Sequence, residues 1–140
     1  MVEKEIVQAR GFRNTRDAKG NVDGFQFRIK TGYYKGIWLS QFRVGDAKVD
    51  GETIAREDVI WEINGIEYTP DEMLLIGDTY WQVATPATVK IRRPGGLEQG
   101  YHTVGVSFGW YCNYQAPERC HPQLGTNWAG YYWERELLLV

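Results

Sequence analysis

Apolar and polar residues alternate with a period of two over several short stretches of the chain, and this pattern is typical of half-buried β-strands. The clearest stretches are Gly24–Lys30, Phe42–Val49 and the two halves of the segment Ala87–Trp110. In that last segment Pro94-Gly95-Gly96 interrupts the alternation with residues that favour a chain reversal. We therefore predict that Ala87–Trp110 forms a β-hairpin whose loop is longer than a tight turn.

Turn signals divide much of the remaining chain into further short strands. Asp50-Gly51 and Asn64-Gly65 are dipeptides typical of two-residue hairpin turns. The polar stretch Asn14–Asp23 predicts a surface reversal. The strands predicted beside these turns are Glu5–Arg13, Glu52–Ile54, Val59–Ile63, Ile66–Tyr68, Tyr80–Ala84 and Tyr131–Val140.

One stretch carries a helix start. Thr69 can cap the helix, Pro70 suits its first position, and Glu72 completes a capping box with Thr69. Gly77 follows soon afterwards, so we predict only one or two helical turns.

About ten short strands with almost no helix predict an all-β fold, an antiparallel β-sandwich of jelly-roll type. An open barrel is the second choice. The chain has 140 residues, no internal repeat and no linker, so we predict a single domain spanning residues 1–140.

The net charge of −2, with both signs interspersed, gives no basic surface for a phosphate backbone, so no nucleic-acid partner is expected. No apolar run approaches the ~20 residues that span a bilayer, and the first residues lead into no signal-type stretch. We expect a soluble cytoplasmic protein without a membrane partner.

Aromatic residues are unusually frequent, with six Trp, nine Tyr and five Phe. Many of them surround Tyr111–Gly130, a predicted loop of about twenty residues, and loops of that length in compact domains are often functional. The strand before it has a nearly bare face at Gly105, Ser107 and Gly109, which would let a ring or a second backbone approach closely. The candidate residues for a substrate or subunit interface are Tyr33, Tyr34, Trp38, Tyr114 and Trp128.

Few residues in the sequence suggest catalysis. His102, just after the predicted hairpin loop, is interpreted as a partly exposed structural histidine. His121 is the candidate base or hydrogen-bond donor, although the sequence shows no partner for it. Cys112 and Cys120 are expected to be free thiols, with a zinc site or a disulfide as the less favoured alternatives. We expect no metal to be bound by this chain.

No nucleophile elbow or phosphate-binding loop is present. The residues therefore favour an aromatic binding or subunit surface over a self-contained active site. The alternative is a free-standing carbohydrate-binding β-sandwich module, in which exposed rings stack on sugars.

A set of short motifs stands in a definite order along the chain. The motifs are Gly24-Phe25-Gln26-Phe27, Tyr33-Tyr34-Lys35-Gly36, Leu39-Ser40, Val49-Asp50-Gly51-Glu52, Tyr68-Thr69-Pro70-Asp71-Glu72-Met73, Trp81, Pro94-Gly95-Gly96-Leu97, Gly100, His102 and Tyr114-Gln115-Ala116-Pro117. Together, in their order and spacing, they resemble the small β-subunit of bacterial C-glycoside deglycosidases. The resemblance covers the chain from about residue 12 to the C-terminus.

The resemblance implies a β-sandwich subunit that pairs with a larger TIM-barrel α-subunit in a hetero-oligomer. The larger subunit would hold a divalent metal, usually manganese, and the catalytic base. The complex would act as a lyase that cleaves the carbon–carbon bond between a 3-oxo sugar and a flavonoid-type aglycone. This chain alone would be inactive and would bind no cofactor itself.

Overall fold

The computed structural model describes residues 5–31, 36–110 and 131–140. Two single-turn 3₁₀ helices, at Leu39–Gln41 and Arg56–Asp58, separate strands in these ranges. The other elements in chain order are β1 (Val7–Arg16), β2 (Val22–Ile29), β3 (Ile37–Trp38), β4 (Phe42–Val49), β5 (Glu52–Ile54), β6 (Val59–Ile63), β7 (Ile66–Tyr68), α1 (Pro70–Leu74), β8 (Tyr80–Trp81), β9 (Ala87–Arg92), β10 (Gly100–Trp110) and β11 (Tyr131–Leu139).

The strands form two main sheets and a small ribbon, and all of their described pairings are antiparallel. Sheet 1 has the order β1-β2-β9-β6-β7, and sheet 2 has the order β11-β10-β4-β5. The ribbon pairs β3 with β8. The predicted all-β, antiparallel, sandwich-like fold is confirmed, and the described strands do not close into a barrel.

The inner faces of the two sheets share one hydrophobic core, and aromatic rings fill part of it. Phe42 lies among three other rings, with centroid distances of 5.1 Å to Trp61, 5.0 Å to Trp81 and 5.5 Å to Phe108. Trp61 belongs to sheet 1, while Phe42 and Phe108 belong to sheet 2. Because the rings meet mostly edge to face, they add a directional term to the burial of apolar area.

The predicted hairpin at Ala87–Trp110 is wrong. Both of its strands exist, but β9 pairs with β2 and β6 in sheet 1, whereas β10 pairs with β4 and β11 in sheet 2. The connection at 93–99 turns through positive φ at Gly95 and Gly96 and carries the chain from one sheet to the other. Alternation fixes which residues face the core, but it does not say which strand is the neighbour.

Contacts to the first strand hold this connection in place. The side chain of Asn14 accepts a hydrogen bond from the backbone N–H of Leu97 at 2.9 Å and donates one to its carbonyl at 3.0 Å. A Cβ on Gly96 would lie only 2.6 Å from Val22 Cγ1. The connection therefore runs tightly against sheet 1 before it enters sheet 2.

The predicted turns and helix start are confirmed. Asp50-Gly51 and Asn64-Gly65 have positive φ at both residues, as two-residue hairpin turns of this type require. The hydroxyl of Thr69 accepts a hydrogen bond from the backbone of Glu72, and the Glu72 carboxylate accepts one from the backbone of Thr69, which completes the capping box.

Several strand limits differ from their predictions. The predicted Glu5–Arg13 strand runs instead from Val7 to Arg16, with an irregularity around Gly11. The predicted Tyr80–Ala84 strand ends at Trp81, because a turn closed by Thr85 N–H and the Gln82 carbonyl follows. The predicted loop Tyr111–Gly130 lies outside the described residues.

Candidate interaction surface

Of the predicted interface residues, the structure describes Trp38. It lies on β3 at one end of the sandwich, near the point where β4 begins. Tyr33, Tyr34, Tyr114 and Trp128 lie outside the described residues, and so does the candidate base His121.

Trp38 forms a partly exposed aromatic pair with Tyr80 on the ribbon. Its ring is 5.1 Å from that of Tyr80, at an interplanar angle of 70°, and 37% of the residue is exposed. On the other side of the ribbon Ile37 and Trp81 are fully buried. Alternation along two short strands thus anchors the ribbon in the core and turns the Trp38–Tyr80 pair outward.

Backbone and side-chain hydrogen bonds fix the ribbon. The N–H of Leu39 donates to the Thr79 carbonyl at 3.0 Å, and Asn64 Nδ2 donates to the Tyr80 carbonyl at 3.2 Å. The indole N–H of Trp81 donates to the Thr85 carbonyl at 2.6 Å. The exposed pair therefore stands on a rigid base, and its edge-to-face geometry differs from the flat platform that stacks on a sugar.

The strip that the sequence predicted to be bare lies on the outer face of sheet 2, and a ring from the same chain covers part of it. Tyr132 on β11 extends its hydroxyl over Gly105, so closely that an added Cβ would meet it. The Tyr132 hydroxyl donates to Glu134 Oε2 at 2.9 Å, and Lys48 Nζ lies 5.3 Å from the ring centroid. Sequence analysis did not single out Tyr132, although alternation with the buried Leu137 implies its outward direction.

Partial burial raises the pKa of Tyr132, and the hydrogen bond and charge of Glu134 raise it further. The phenol therefore stays neutral at physiological pH and continues to donate to Glu134. This bond and the cation over the ring hold Tyr132 in one orientation, although 38% of it remains exposed.

Further along the same face, Tyr101 and Leu138 are direct cross-strand neighbours on β10 and β11. They are 68% and 49% exposed, respectively. Tyr101, Leu138 and Tyr132 all project from the outer side, because Val104, Val106 and Phe108 point into the core. The outer face of sheet 2 therefore combines small residues, exposed apolar side chains and the exposed charges of Lys48, Glu134 and Glu136.

The outer face of sheet 1 has a different character. Lys90 on β9 bonds to Glu62 at 2.9 Å and to Glu67 at 2.8 Å. Partial burial works against the charge of Lys90, but these two carboxylates raise its pKa overall. Beside it lies a cleft of about 490 Å³ that contains both signs of charge. The lining residues are Thr15, Arg16, Asp17, Asp23, Ile60, Glu67, Lys90, Ile91 and Arg92.

His102 lies at the opposite end of the sandwich from the ribbon, near the connection between the sheets. Its Nδ1 is 2.6 Å from Asp50 Oδ2, and its Nε2 is 2.6 Å from the Glu98 carbonyl oxygen. Both of these oxygens are acceptors, so only the doubly protonated imidazolium can donate to both. Partial burial alone would lower the pKa of His102, but Asp50 and Glu98 raise it overall.

Asp50 is held from several directions. Partial burial opposes its charge, yet the hydrogen bonds from His102 and from the Thr103 backbone lower its pKa. The His102 ring also meets Phe12 of sheet 1 edge-on at 6.3 Å. These contacts tie the β4–β5 turn, the connection and both sheets together, which supports the structural role expected for His102.

No group of three or more His, Cys, Asp or Glu side chains in the described ranges is arranged to hold a metal ion. Cys112 and Cys120 lie outside these ranges. Within the same ranges, no helix has the length and apolar character that crossing a membrane requires.

Comparison with known proteins identifies the family. The sequence profile described as C-glycoside deglycosidase beta subunit matches residues 2–114. A protein of Eubacterium cellulosolvens named C-glycoside deglycosidase beta subunit is 43% identical over 116 residues, which cover 83% of this chain and 79% of that protein. The chain therefore belongs to the C-glycoside deglycosidase beta subunit family.

Proposed function

We propose that this chain is the accessory β-subunit of a C-glycoside deglycosidase and is inactive by itself. The carrying observation is its 43% identity, over most of both chains, to a protein named as such a beta subunit. The partner would be a larger TIM-barrel subunit that carries the catalytic base and a divalent metal, most simply manganese. The metal would polarise the keto group of the substrate.

The reaction proposed for the complex is an elimination that breaks a carbon–carbon bond. A base removes the acidic proton beside the keto group of a 3-oxo sugar. The electron pair of the bond to the aglycone leaves with the aromatic aglycone, whose phenol stabilises the charge, and the aglycone carbon then takes up a proton. One proton is removed and one is added, so the lyase needs no oxidant or reductant.

The geometry of the described residues is consistent with an accessory role. His102 has both ring nitrogens engaged with acceptors, so it is not poised to accept a proton from a substrate. The exposed Trp38–Tyr80 pair stands on a fixed ribbon and offers an apolar contact for an aromatic aglycone or for the partner subunit. Tyr33, Tyr34, Tyr114 and Trp128 are proposed as further residues of this surface.

Co-expression with the larger subunit tests the proposal. The purified chain alone should not cleave a 3-oxo-C-glycoside, and the co-purified complex should release the aglycone, measured by chromatography. The Trp38→Ala variant should raise KM or weaken the complex, while the control Arg92→Glu on sheet 1 should change neither. Activity of the isolated chain, or no complex with the wild-type chain, would overturn the proposal.

The same complex tests His121, the residue of this chain proposed as a base or as a donor to a sugar hydroxyl. Its replacement by Asn should lower kcat by 10-fold or more, on the order expected for loss of a general base, without changing assembly. An unchanged kcat would remove His121 from the reaction and leave the accessory role intact.

A further inference from the structure

An imidazole ring holds the end of the connection between the sheets. His102 on β10 presents Nδ1 to Asp50 Oδ2 and Nε2 to the Glu98 carbonyl oxygen, each at 2.6 Å. An ionised carboxylate and a carbonyl oxygen can only accept hydrogen bonds. A ring that carries both N–H protons therefore satisfies both partners, whereas a neutral ring, which carries one N–H proton, can satisfy only one of them.

The bond to Glu98 is the one that a neutral ring gives up. A hydrogen bond to a charged acceptor is stronger than one to a neutral carbonyl, so the remaining proton stays on Nδ1 and is donated to Asp50. The lone pair of Nε2 then faces the Glu98 carbonyl oxygen. The opposite tautomer is less favourable, because it sets a lone pair against the full charge of a carboxylate. Loss of one proton therefore turns the contact with Glu98 from attractive to repulsive.

The backbone around Glu98 can respond over a short length. On one side Leu97 is buried, and the side chain of Asn14 is bonded to both its N–H and its carbonyl oxygen. On the other side Gly100 has a φ of 133°, and a Cβ added there would meet no described atom within 4 Å. Glu98 and Gln99 between these two points are exposed. A fixed point and a glycine hinge thus enclose a two-residue flap, Glu98-Gln99.

The charged groups described around the ring and its partners belong to the β4–β5 turn and to the connection, and they are Asp50, Glu52, Arg93 and Glu98. Arg93 is bonded to Glu52 at 2.6 Å, and its charge helps to keep Asp50 ionised. The neighbours from the other strands are apolar, with Phe12 edge-on to the ring and Leu137 directly across from it on β11. Of these groups, the imidazole is the one whose charge ordinarily changes between about pH 5 and 8.

We propose that Glu98-Gln99 is a pH-operated flap, closed on His102 while the ring carries two N–H protons and released when it carries one. This inference concerns the fold of the chain and does not depend on the proposed function. Partial burial lowers the pKa of His102, but Asp50 and Glu98 raise it overall above 6.5. The flap is therefore closed at pH 6.5 and opens as the pH rises through the folded pKa. The Asn14 contacts keep the rest of the connection on sheet 1.

A protease that cuts after glutamate measures the opening in the full chain, because the flap carries Glu98. The amide of His102→Gln can donate to Asp50 alone, so this variant represents the neutral ring. Near pH 5.5 it should be cut after Glu98 about 10-fold faster than the wild type, and near pH 9 the two rates should agree within about 2-fold. Comparison at each pH cancels the pH dependence of the protease. Cleavage after the exposed Glu57 is the internal control and should be equal in both proteins.

Asp50→Asn separates the flap from a general loss of contacts, since it should hold the flap closed when the ring is neutral. Its amide N–H donates to Nδ1 of His102, which leaves the ring proton on Nε2 for the Glu98 carbonyl oxygen. Asparagine also suits the positive φ of 49° at this position, so the β4–β5 turn is kept. Cleavage after Glu98 near pH 9 should therefore be about 10-fold slower in Asp50→Asn than in the wild type.

Nitrogen NMR of the imidazole gives a second measurement, because the shifts of Nδ1 and Nε2 report which atom is protonated. The neutral ring should carry its proton on Nδ1 in the wild type and on Nε2 in Asp50→Asn. The backbone amide shifts of Glu98 and Gln99 in the wild type should titrate with the same midpoint as the ring.

Three results would overturn the proposal. The first is a ratio of cleavage rates between His102→Gln and the wild type that does not change with pH. The second is cleavage after Glu98 near pH 9 that is as fast in Asp50→Asn as in the wild type, or faster. The third is a neutral wild-type ring protonated on Nε2, which would keep the bond to Glu98.

Discussion

On the outer faces of both sheets a side chain packs against a glycine, but the two side chains differ in chemistry. On sheet 1 the side chain of Arg28 lies against Gly11, and on sheet 2 the hydroxyl of Tyr132 lies over Gly105. In each case a glycine lets a long side chain lie close to the sheet. A guanidinium over sheet 1 keeps that face hydrated, whereas a phenol ring over sheet 2 presents apolar area.

The neighbours of these two side chains reinforce the contrast. Sheet 1 places Lys90 between two carboxylates, so its charges are balanced within the face. Sheet 2 places exposed Tyr101 and Leu138 on its outer face together with the charges of Lys48, Glu134 and Glu136, which no carboxylate–lysine pair described on that face balances. In this sandwich the side chain that packs on the glycine therefore differs between the sheets, a guanidinium on sheet 1 and a phenol ring on sheet 2.

The largest expected effect is a loss of stability when alanine replaces Gly105 or Gly11. A Cβ on Gly105 would lie 2.6 Å from the Trp133 carbonyl oxygen, a backbone atom of the next strand. A Cβ on Gly11 would meet the flexible end of Arg28, although its φ of 85° adds strain. Gly105→Ala should therefore cost about 2–4 kcal/mol of unfolding free energy and Gly11→Ala about 1–2 kcal/mol.

Urea denaturation of both variants measures this difference. Adding Tyr132→Ala to Gly105→Ala should recover only part of the loss, because the clash with the Trp133 carbonyl remains. A larger cost for Gly11→Ala would mean that backbone strain outweighs the close approach of strands in sheet 2.

A smaller effect is expected from the His102 contacts, which belong to neither outer face and join the two sheets. Because the folded pKa of His102 lies above its ordinary value of 6.5, the stability gained from the charged ring is complete below pH 6.5. That gain is lost as the pH rises through the folded pKa. His102→Gln should cost about 1 kcal/mol near pH 6, and the difference from the wild type should shrink at higher pH.

The contribution of Asp50 to stability has the opposite dependence on pH. Its folded pKa lies below 3.8, so its contribution is present above that pH and is lost as the pH falls through the folded pKa. Urea unfolding from pH 3 to pH 9, followed by tryptophan fluorescence, measures both limits. A His102→Gln penalty that does not change with pH would show that the imidazolium is not the contributing form.

The smallest effect is expected from the ion pairs on sheet 1. Lys90→Met leaves Glu62 directly opposite Glu67, and we expect a loss of about 0.5–1 kcal/mol that becomes smaller in 1 M salt. The matched variant on sheet 2 is Lys48→Met, whose ammonium lies over a ring rather than between carboxylates. Equal salt dependence for the two variants would contradict the proposed electrostatic difference between the faces.

Much of the fold could be predicted from local sequence because strand faces and tight turns are local properties. Phe42–Val49 and Val59–Ile63 begin and end as predicted, and both hairpin dipeptides adopt the predicted turns. The partners of β9 and β10 could not be predicted in the same way. Each of these strands has one partner more than fifty residues away, such as Val49 on β4 opposite Val104 on β10.

The candidate surface was predictable only in part for a similar reason. Trp38 was predicted as an interface residue from the aromatic residues near it in the sequence, and in the structure its side chain points outward. The importance of Tyr132 depends on Gly105, which lies in a different strand and becomes its neighbour only through the register of β10 and β11. A single sequence offers no local signal that links these two positions.

The connection at 93–99 also has a consequence for the order of folding. β1–β2, β4–β5 and β6–β7 are hairpins of adjacent segments, and β9 joins the first of these to the third while β10 joins the second to β11. During synthesis, short hairpins can form early, but neither sheet can be joined until residues 87–110 have left the ribosome. Because loop closure over such distances is slow, assembly of the sandwich should follow hairpin formation in milliseconds to seconds.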